Sequence, residues 1–221
     1  MVTTVYLVRH AAAQGNILKT FQGRIDADLC GYGFDQLEAL TKRFENIHID
    51  KLYSSPLKRA RLTANAVKHD MPIELCPDIM EIDGGGFENV KYEDLPNLFP
   101  EEYNKWTYHM GEFVAPCGGE SIADVYERMS KALTEIAADN LGKTIAVVSH
   151  GCAIRAFLCF AKKMNYTDIM KEEWADNTAV AKLIFDENDG FSIEYENCAK
   201  HLSPEISTFS HQDWWIPVEE K

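Results

Sequence analysis

Two apolar runs in this sequence end in a histidine followed by a small residue: VYLVRH finishes at His10 before Ala11, and IAVVSH finishes at His150 before Gly151. Arg9 directly precedes the first histidine. A third segment, LYSSPLKRA, puts Arg59 a few residues beyond Ser54 and Ser55. Two histidines and two arginines at matching places suit a small, highly charged anion, and phosphate is the obvious one. An arginine beside a buried strand has five donors that need acceptors, and its planar fork matches phosphate oxygens. Neighbouring guanidinium charges also disfavour protonation of an imidazole. Taken singly, a strand-end histidine is usually structural, and Arg59 alone would read as a surface helix residue. The matched set is what points to chemistry. Arg61 sits about 200° around the helix from Arg59 and reads as a surface residue.

These residues need a scaffold that brings them to one edge, and the hydrophobic periods supply it by alternating between two and 3.6 along the chain. Strands are expected at Val2 to Val8, at IDKLYSS, at TIAVVS, and at AVAKLIFD and FSIEYEN around a turn at Asn188 to Gly190. Helices are expected from Asp35 to Phe44, through LKRARLTANAVKH with Pro56 as first residue, and from about Ala153 to Lys163. The clearest helix is ESIADVYERMSKALTEIAADNLGK. Ile122, Val125, Met129, Leu133 and Ile136 share one face, Ser121 and Asp124 form a capping box, and Gly142 is the expected stop. PIELCPDIMEI reads as extended, and residues 90–112 as short helical pieces rich in aromatics. Strands separated by single helices imply a three-layer α/β/α fold with a mostly parallel central sheet. In such a sheet, ligands sit beyond the carboxyl ends of the strands, where helix N-termini add positive potential. His10, His150, Ser54 and Ser55 all fall at such ends.

With 221 residues and no Pro/Gly/Ser-rich linker, the chain reads as one domain, 1–221, with residues 83–118 as a cap over the cleft. A formal net charge of -13 argues against nucleic acid as partner, because that affinity rests on surface lysine and arginine. The longest apolar stretch, TIAVVSHGCAIRAFLCFA, is broken by His150 and Arg155, so no membrane span is expected. Six cysteines without a C-x-x-C pair, and no secretory signal at the N-terminus, fit a reduced, cytoplasmic protein. Trp214 and Trp215 in the tail are expected to pack on the body.

The segments LVRHAAAQGN, FQGRIDADL, LYSSPLKRARLTA, PCGGESIADVYERM and VVSHGCAIRAFL, with NCAKHL near the end, resemble in order the signature segments of the histidine phosphatase (phosphoglycerate mutase-like) superfamily. The resemblance implies a covalent phosphohistidine mechanism with His10 as nucleophile and Arg9, Arg59 and His150 forming the phosphate pocket. It places the proton-donating acid in MEIDGGGFEN at Glu81, with Glu88 as supporting carboxylate beside Phe87, where the family usually has tryptophan. Asn16, Gln22, Gly23 and Gly151 are the further substrate-binding positions. After His10 the family usually has glycine, glutamate and a hydroxyl residue. This chain has Ala11, Ala12 and Ala13, which removes side chains that would orient the pocket.

The expected activity is hydrolysis of a small phosphorylated metabolite, without metal or other cofactor, by a monomer or homodimer. Mutase-type phosphoryl transfer and a weakly active or inactive phospholigand-binding relative are the alternatives. Residues 82–118 carry two cations, Lys91 and Lys105, against seven carboxylates. A phosphoglycerate mutase needs further cations in that region, so the count favours the hydrolase.

Overall fold

The structure is a computed structural model, and it describes residues 1–211. Trp214 and Trp215 lie outside the described residues. Six strands form one sheet: β1 (Val2–Arg9), β2 (Lys51–Ser54), β3 (Ile73–Leu75), β4 (Thr144–Ser149), β5 (Val180–Asp186) and β6 (Gly190–Cys198). Their spatial order is β3-β2-β4-β1-β5-β6. The first four positions are parallel, whereas β5 runs antiparallel to β1, and β6 antiparallel to β5.

Period-two alternation on the central strands creates two buried faces. Val5 and Leu7 of β1, with Ile145 and Val147 of β4, point into one cluster. That cluster includes Val125, Met129 and Leu133 of α6 (Ile122–Ala138) and Ala153, Ala156 and Phe157 of α7 (Gly151–Ala161). Val8, Ala146 and Val148 point the other way, against Leu40 and Phe44 of α2 (Gly31–Phe44) and Ala60, Ala64 and Val67 of α3 (Lys58–Val67). This is the expected three-layer α/β/α arrangement.

The shorter α-helices among the described residues are α1 (Gln14–Leu18), α4 (Leu95–Leu98), α5 (Pro100–Tyr108) and α8 (Thr208–His211). Residues 83–118 bury Phe87, Leu95, Met110 and Phe113 in the same cluster as α6 and α7, so the segment shares the main core. Among the described residues, no helix is long and apolar enough to cross a membrane.

Local signals hold with some shifts. The capping box forms in both directions, Asp124 N donating to Ser121 Oγ at 3.1 Å and Ser121 N to Asp124 Oδ2 at 2.9 Å. The helix ends at Ala138, four residues before Gly142. Asn140, fully buried, turns its amide onto the Tyr53 hydroxyl and the Ile136 carbonyl, and Gly142 takes a positive φ of 80° in the turn into β4. Pro56 also lies outside its helix. Leu57 is the extended N-cap and the first helical residue is Lys58, so the proline precedes the helix instead of opening it. Helix α2 starts at Gly31, four residues earlier than periodicity suggested, and α7 starts directly after His150.

Candidate active site

The register of three parallel strands builds the site. Arg9 pairs with Ser149 across β1 and β4, and Ser54 with Val148 across β2 and β4, so all three chains leave the sheet at one level. The next residue of each strand is held on its neighbour: His10 N donates to Ser149 O at 2.9 Å, and Ser55 N to Val148 O at 3.0 Å. His10 and His150 therefore face each other with ring centroids 5.0 Å apart.

His10 is 3% exposed, and its tautomer follows from its partners. Nδ1 lies 2.7 Å from the Ala11 carbonyl, which can only accept, so Nδ1 carries the proton and Nε2 the lone pair. Arg59 Nε donates to that Nε2 at 3.3 Å. Burial, then Arg59, then Arg9, hold His10 well below the ordinary histidine value of 6.5. Desolvation thus outweighs the guanidinium charges that the sequence pointed to, though both act in the same direction.

Arg59, at the start of α3, is 1% exposed. Its Nη1 donates to Ile25 O at 2.6 Å and its Nη2 to Gly23 O at 2.7 Å. Burial lowers its pKa to about 10, so it stays a cation at neutral pH. It thereby fixes the loop containing Gln22 and Gly23. Arg61 is exposed, as expected.

Arg9 donates through Nη1 to the carbonyl of Ala175, while its buried Nε has no hydrogen-bond partner among the described residues. A Cβ on Gly151 would come within 3.3 Å of that Nε and 3.1 Å of the Trp174 ring. Gly151 is thus the residue that lets the guanidinium lie against the N-terminus of α7. His150 is fully buried and hydrogen-bonded through Nε2 to the Ser55 hydroxyl at 2.7 Å. Its Nδ1 is likewise buried without a partner among the described residues. Burial first, then Arg59 and His10, lower its pKa well below 6.5.

Glu81 meets these groups from the segment after β3. Oε1 accepts from Ala153 N at 3.0 Å and Ile82 N at 3.0 Å, and Oε2 from Cys152 N at 3.2 Å. The carboxylate therefore sits on the first turn of α7, where unsatisfied amides and the helix dipole favour an acceptor. Its backbone is clamped as well. Arg128 of α6 donates to the carbonyls of Asp78, Met80 and Glu81, and Glu120 bridges Arg128 to Arg24.

Glu88 is placed differently from Glu81. Its Oε1 accepts from Arg24 N at 2.7 Å and Gly84 N at 3.0 Å, stitching the loop at Gly23 to the segment 81–88. Gln22 Nε2 donates to Asn16 Oδ1 at 3.3 Å, and Asn16 Oδ1 also accepts from Ala13 N at 2.9 Å.

Ala11, Ala12 and Ala13 are fully buried. Their amides are nevertheless all oriented by side chains: Thr63 Oγ1 for Ala11, Gln36 Oε1 for Ala12 and Asn16 Oδ1 for Ala13, at 2.8 to 2.9 Å. The backbone after His10 is thus held although its own side chains carry no polar group. Sequence reading passed over Thr63, Gln36 and Asn177, whose Nδ2 donates to His10 O at 2.8 Å. Asn177 had a signal. An antiparallel strand brings its amino end to the edge where its parallel neighbours end, and Asn177 precedes β5 there. Among the described residues, no group of three or more His, Cys, Asp or Glu is placed to hold a metal ion.

Comparison with known proteins gives the family. The chain matches the histidine phosphatase superfamily (branch 1) over residues 5–198. It is 36% identical over 157 residues to phosphoserine phosphatase 1 of Hydrogenobacter thermophilus, covering 69% of this chain and 73% of that one. It is 30% identical over 162 residues to a metal-independent phosphoserine phosphatase of Arabidopsis thaliana, covering 70% and 67%. In three dimensions it is similar to a phosphoserine phosphatase of Entamoeba histolytica crystallised as a mutant with phosphoserine, at a TM-score of 0.79 and 28% identity over 91% of this chain and all of that one. The chain belongs to the histidine phosphatase superfamily, branch 1.

Proposed function

We propose that this chain hydrolyses phosphate monoesters of small metabolites through a phosphohistidine at His10, without a metal. The observation that carries the reading is the bare Nε2 of His10, neutral by burial and aligned by Arg59. Arg9, Arg59 and His150 supply the fixed donors for the phosphoryl oxygens. Nε2 attacks phosphorus, the P–O ester bond breaks, and the leaving alcohol takes its proton from Glu81. Water then attacks the phosphohistidine with Glu81 as base, the P–N bond breaks, and inorganic phosphate leaves. Asn16, Gln22, Gly23 and Gly151 shape the pocket, and Glu88 supports the Gly23 loop.

Residues 83–118 form the wall over the leaving group in this reading. Trp106 lies 6.2 Å from Trp174, the ring beside Gly151 and Arg9, and 5.0 Å from Phe21. Names among the relatives make phosphoserine the first ester to try. Mutase chemistry is disfavoured because residues 82–118 carry two cations against seven carboxylates, and one of the two, Lys91, is exposed and paired with Glu93 at 3.2 Å.

The test is phosphate release from a panel of monoesters including phosphoserine, with and without EDTA, beside 3- and 2-phosphoglycerate with the bisphosphate primer. Release that is unaffected by EDTA is expected, together with a phosphoryl adduct seen by native mass spectrometry or alkaline quench, and absent in His10→Ala. Mutase turnover exceeding phosphate release, or full activity in His10→Ala, overturns the assignment.

A further inference from the structure

The stretch 203–211 lies beyond the residues matched to the superfamily, yet it bonds directly into the scaffold of the His10 loop. Thr208, 1% exposed, donates through Oγ1 to Asn177 Oδ1 at 2.9 Å and accepts there from Gln36 Nε2 at 3.1 Å. Its backbone N donates to Asp176 Oδ1 at 2.9 Å, Ser207 Oγ to Asp176 Oδ2 at 2.6 Å, and Gln36 Nε2 also donates to Ile206 O at 2.7 Å. The far ends of both amides reach the nucleophile's loop: Gln36 Oε1 accepts from Ala12 N, and Asn177 Nδ2 donates to His10 O.

The chemistry of these partners fixes what residue 208 must be. Ala12 N only donates, so Gln36 must turn its oxygen there and its nitrogen toward Thr208. The His10 carbonyl only accepts, so Asn177 must turn its nitrogen there and its oxygen toward Thr208. One atom at position 208 must therefore accept from Gln36 and donate to Asn177, which a hydroxyl does and an apolar side chain cannot. All five residues are buried, so water does not readily replace a lost bond. The His10 ring in turn takes its orientation from Nδ1 on the Ala11 carbonyl, inside the segment that these amides brace.

We propose that residues 206–208 are a positioning strap for the nucleophile, with the Thr208 hydroxyl as its hub. The strap rests on the reading of His10 as nucleophile. Without the hydroxyl, Gln36 keeps Ile206 O and Ala12 N but loses one of its two acceptors, Asn177 Oδ1 loses its donor, and the bracing of the segment 10–12 loosens. A misplacement of about 1 Å costs on the order of 10²-fold in related settings, so a partial loss of roughly ten- to fiftyfold is expected here.

The experiment compares Thr208→Val and Thr208→Ser in the full chain. Valine should lower kcat roughly ten- to fiftyfold with KM changed less than about twofold, and serine should restore kcat to within about threefold of the parent. Wild-type kcat in Thr208→Val, or serine performing no better than valine, overturns the strap. If Thr208→Val does not fold, Ser207→Ala carries the test: a fall in kcat at constant KM supports the strap, and unchanged kcat overturns it. A second readout does not need turnover. Histidine ¹⁵N shifts should show His10 as one Nδ1–H tautomer in the parent and as an averaged signal in the variant that carries the test, and identical shifts overturn the strap. Failure of the parent to release phosphate would instead count against the proposed activity, leaving the ¹⁵N comparison to decide the strap.

Discussion

Arg59 Nε lies 3.3 Å from His10 Nε2, and the contact has only one polarity, because the guanidinium donates and the ring nitrogen must accept. With the Ala11 carbonyl at Nδ1, Arg59 thus sets the tautomer of His10, and it also orients the Nε2 lone pair and holds the loop 22–25 through the carbonyls of Gly23 and Ile25. Protonating His10 would break this contact and bury a second positive charge beside the first.

Replacing Arg59 should therefore damage both rate and fold. Arg59→Ala is expected to lower kcat by about 10²- to 10³-fold, as for loss of a preorganised donor. Arg59→Lys should not rescue it, since one ammonium cannot reach three acceptors set by a fork. The buried Gly23 carbonyl left unpaired costs about 1–3 kcal/mol, so both variants should unfold at lower urea. Steady-state kinetics with urea titration measure this, and unchanged kinetics would leave Arg59 a purely structural residue.

Glu81→Gln should slow esters with poor leaving groups, such as alkyl phosphates, far more than activated aryl phosphates, because only the former need protonation. The variant also turns an amide NH₂ toward the amides of Cys152 and Ala153, where both carboxylate oxygens now accept. A modest loss of stability should accompany the kinetic change. Equal losses on both ester types would move the acid role elsewhere.

Gly23→Ala tests the loop. Its φ of 48° is left-handed, costing about 1–2 kcal/mol for a residue with a Cβ, and that Cβ would overlap Glu88 Oε1. The variant should lose stability and, because Gly23 O receives Arg59, should lose kcat as well. Glu88→Gln should be much milder than Glu88→Ala, since its amide oxygen still accepts from Arg24 N and Gly84 N. Similar activity in all three variants would disconnect this loop from the site.

Three histidines give the acid limb of stability its sign. His10, His150 and His201 all have pKa values below 6.5 in the folded chain, His201 at about 4 through burial and then Arg43. Unfolded histidines bind protons from about 6.5 downward, so the unfolded state gains protons first and stability falls as pH drops below that point. For His201 the loss levels off near pH 4; for the two site histidines it continues lower. Melting temperature should fall from pH 7 to pH 4.5, and His201→Gln should reduce the slope. Parallel curves for parent and variant would remove His201 from this account.

Much of the site was legible in the sequence because strand ends are local features. An apolar run of period two must stop where its side chains meet something other than core, and stopping at Arg9-His10 and Ser149-His150 exposed the chemistry in the residue types alone. Parallel neighbours then had to bring those ends to one edge, as the registers of β1, β2 and β4 show. The two-faced sheet and the Ser121 cap were equally local. What sequence could not fix were the partners reached across the fold. Pairing β5 antiparallel to β1 delivers Asn177 to the His10 carbonyl from 167 residues away, and α2 delivers Gln36 to Ala12. The three alanines, read alone, meant a pocket with orienting groups missing. Their backbone amides still find acceptors, Ala13 locally from Asn16 and the other two from Thr63 and Gln36 across the fold, because a buried amide must find an acceptor somewhere, and which distant element supplies it is decided only when the layers pack.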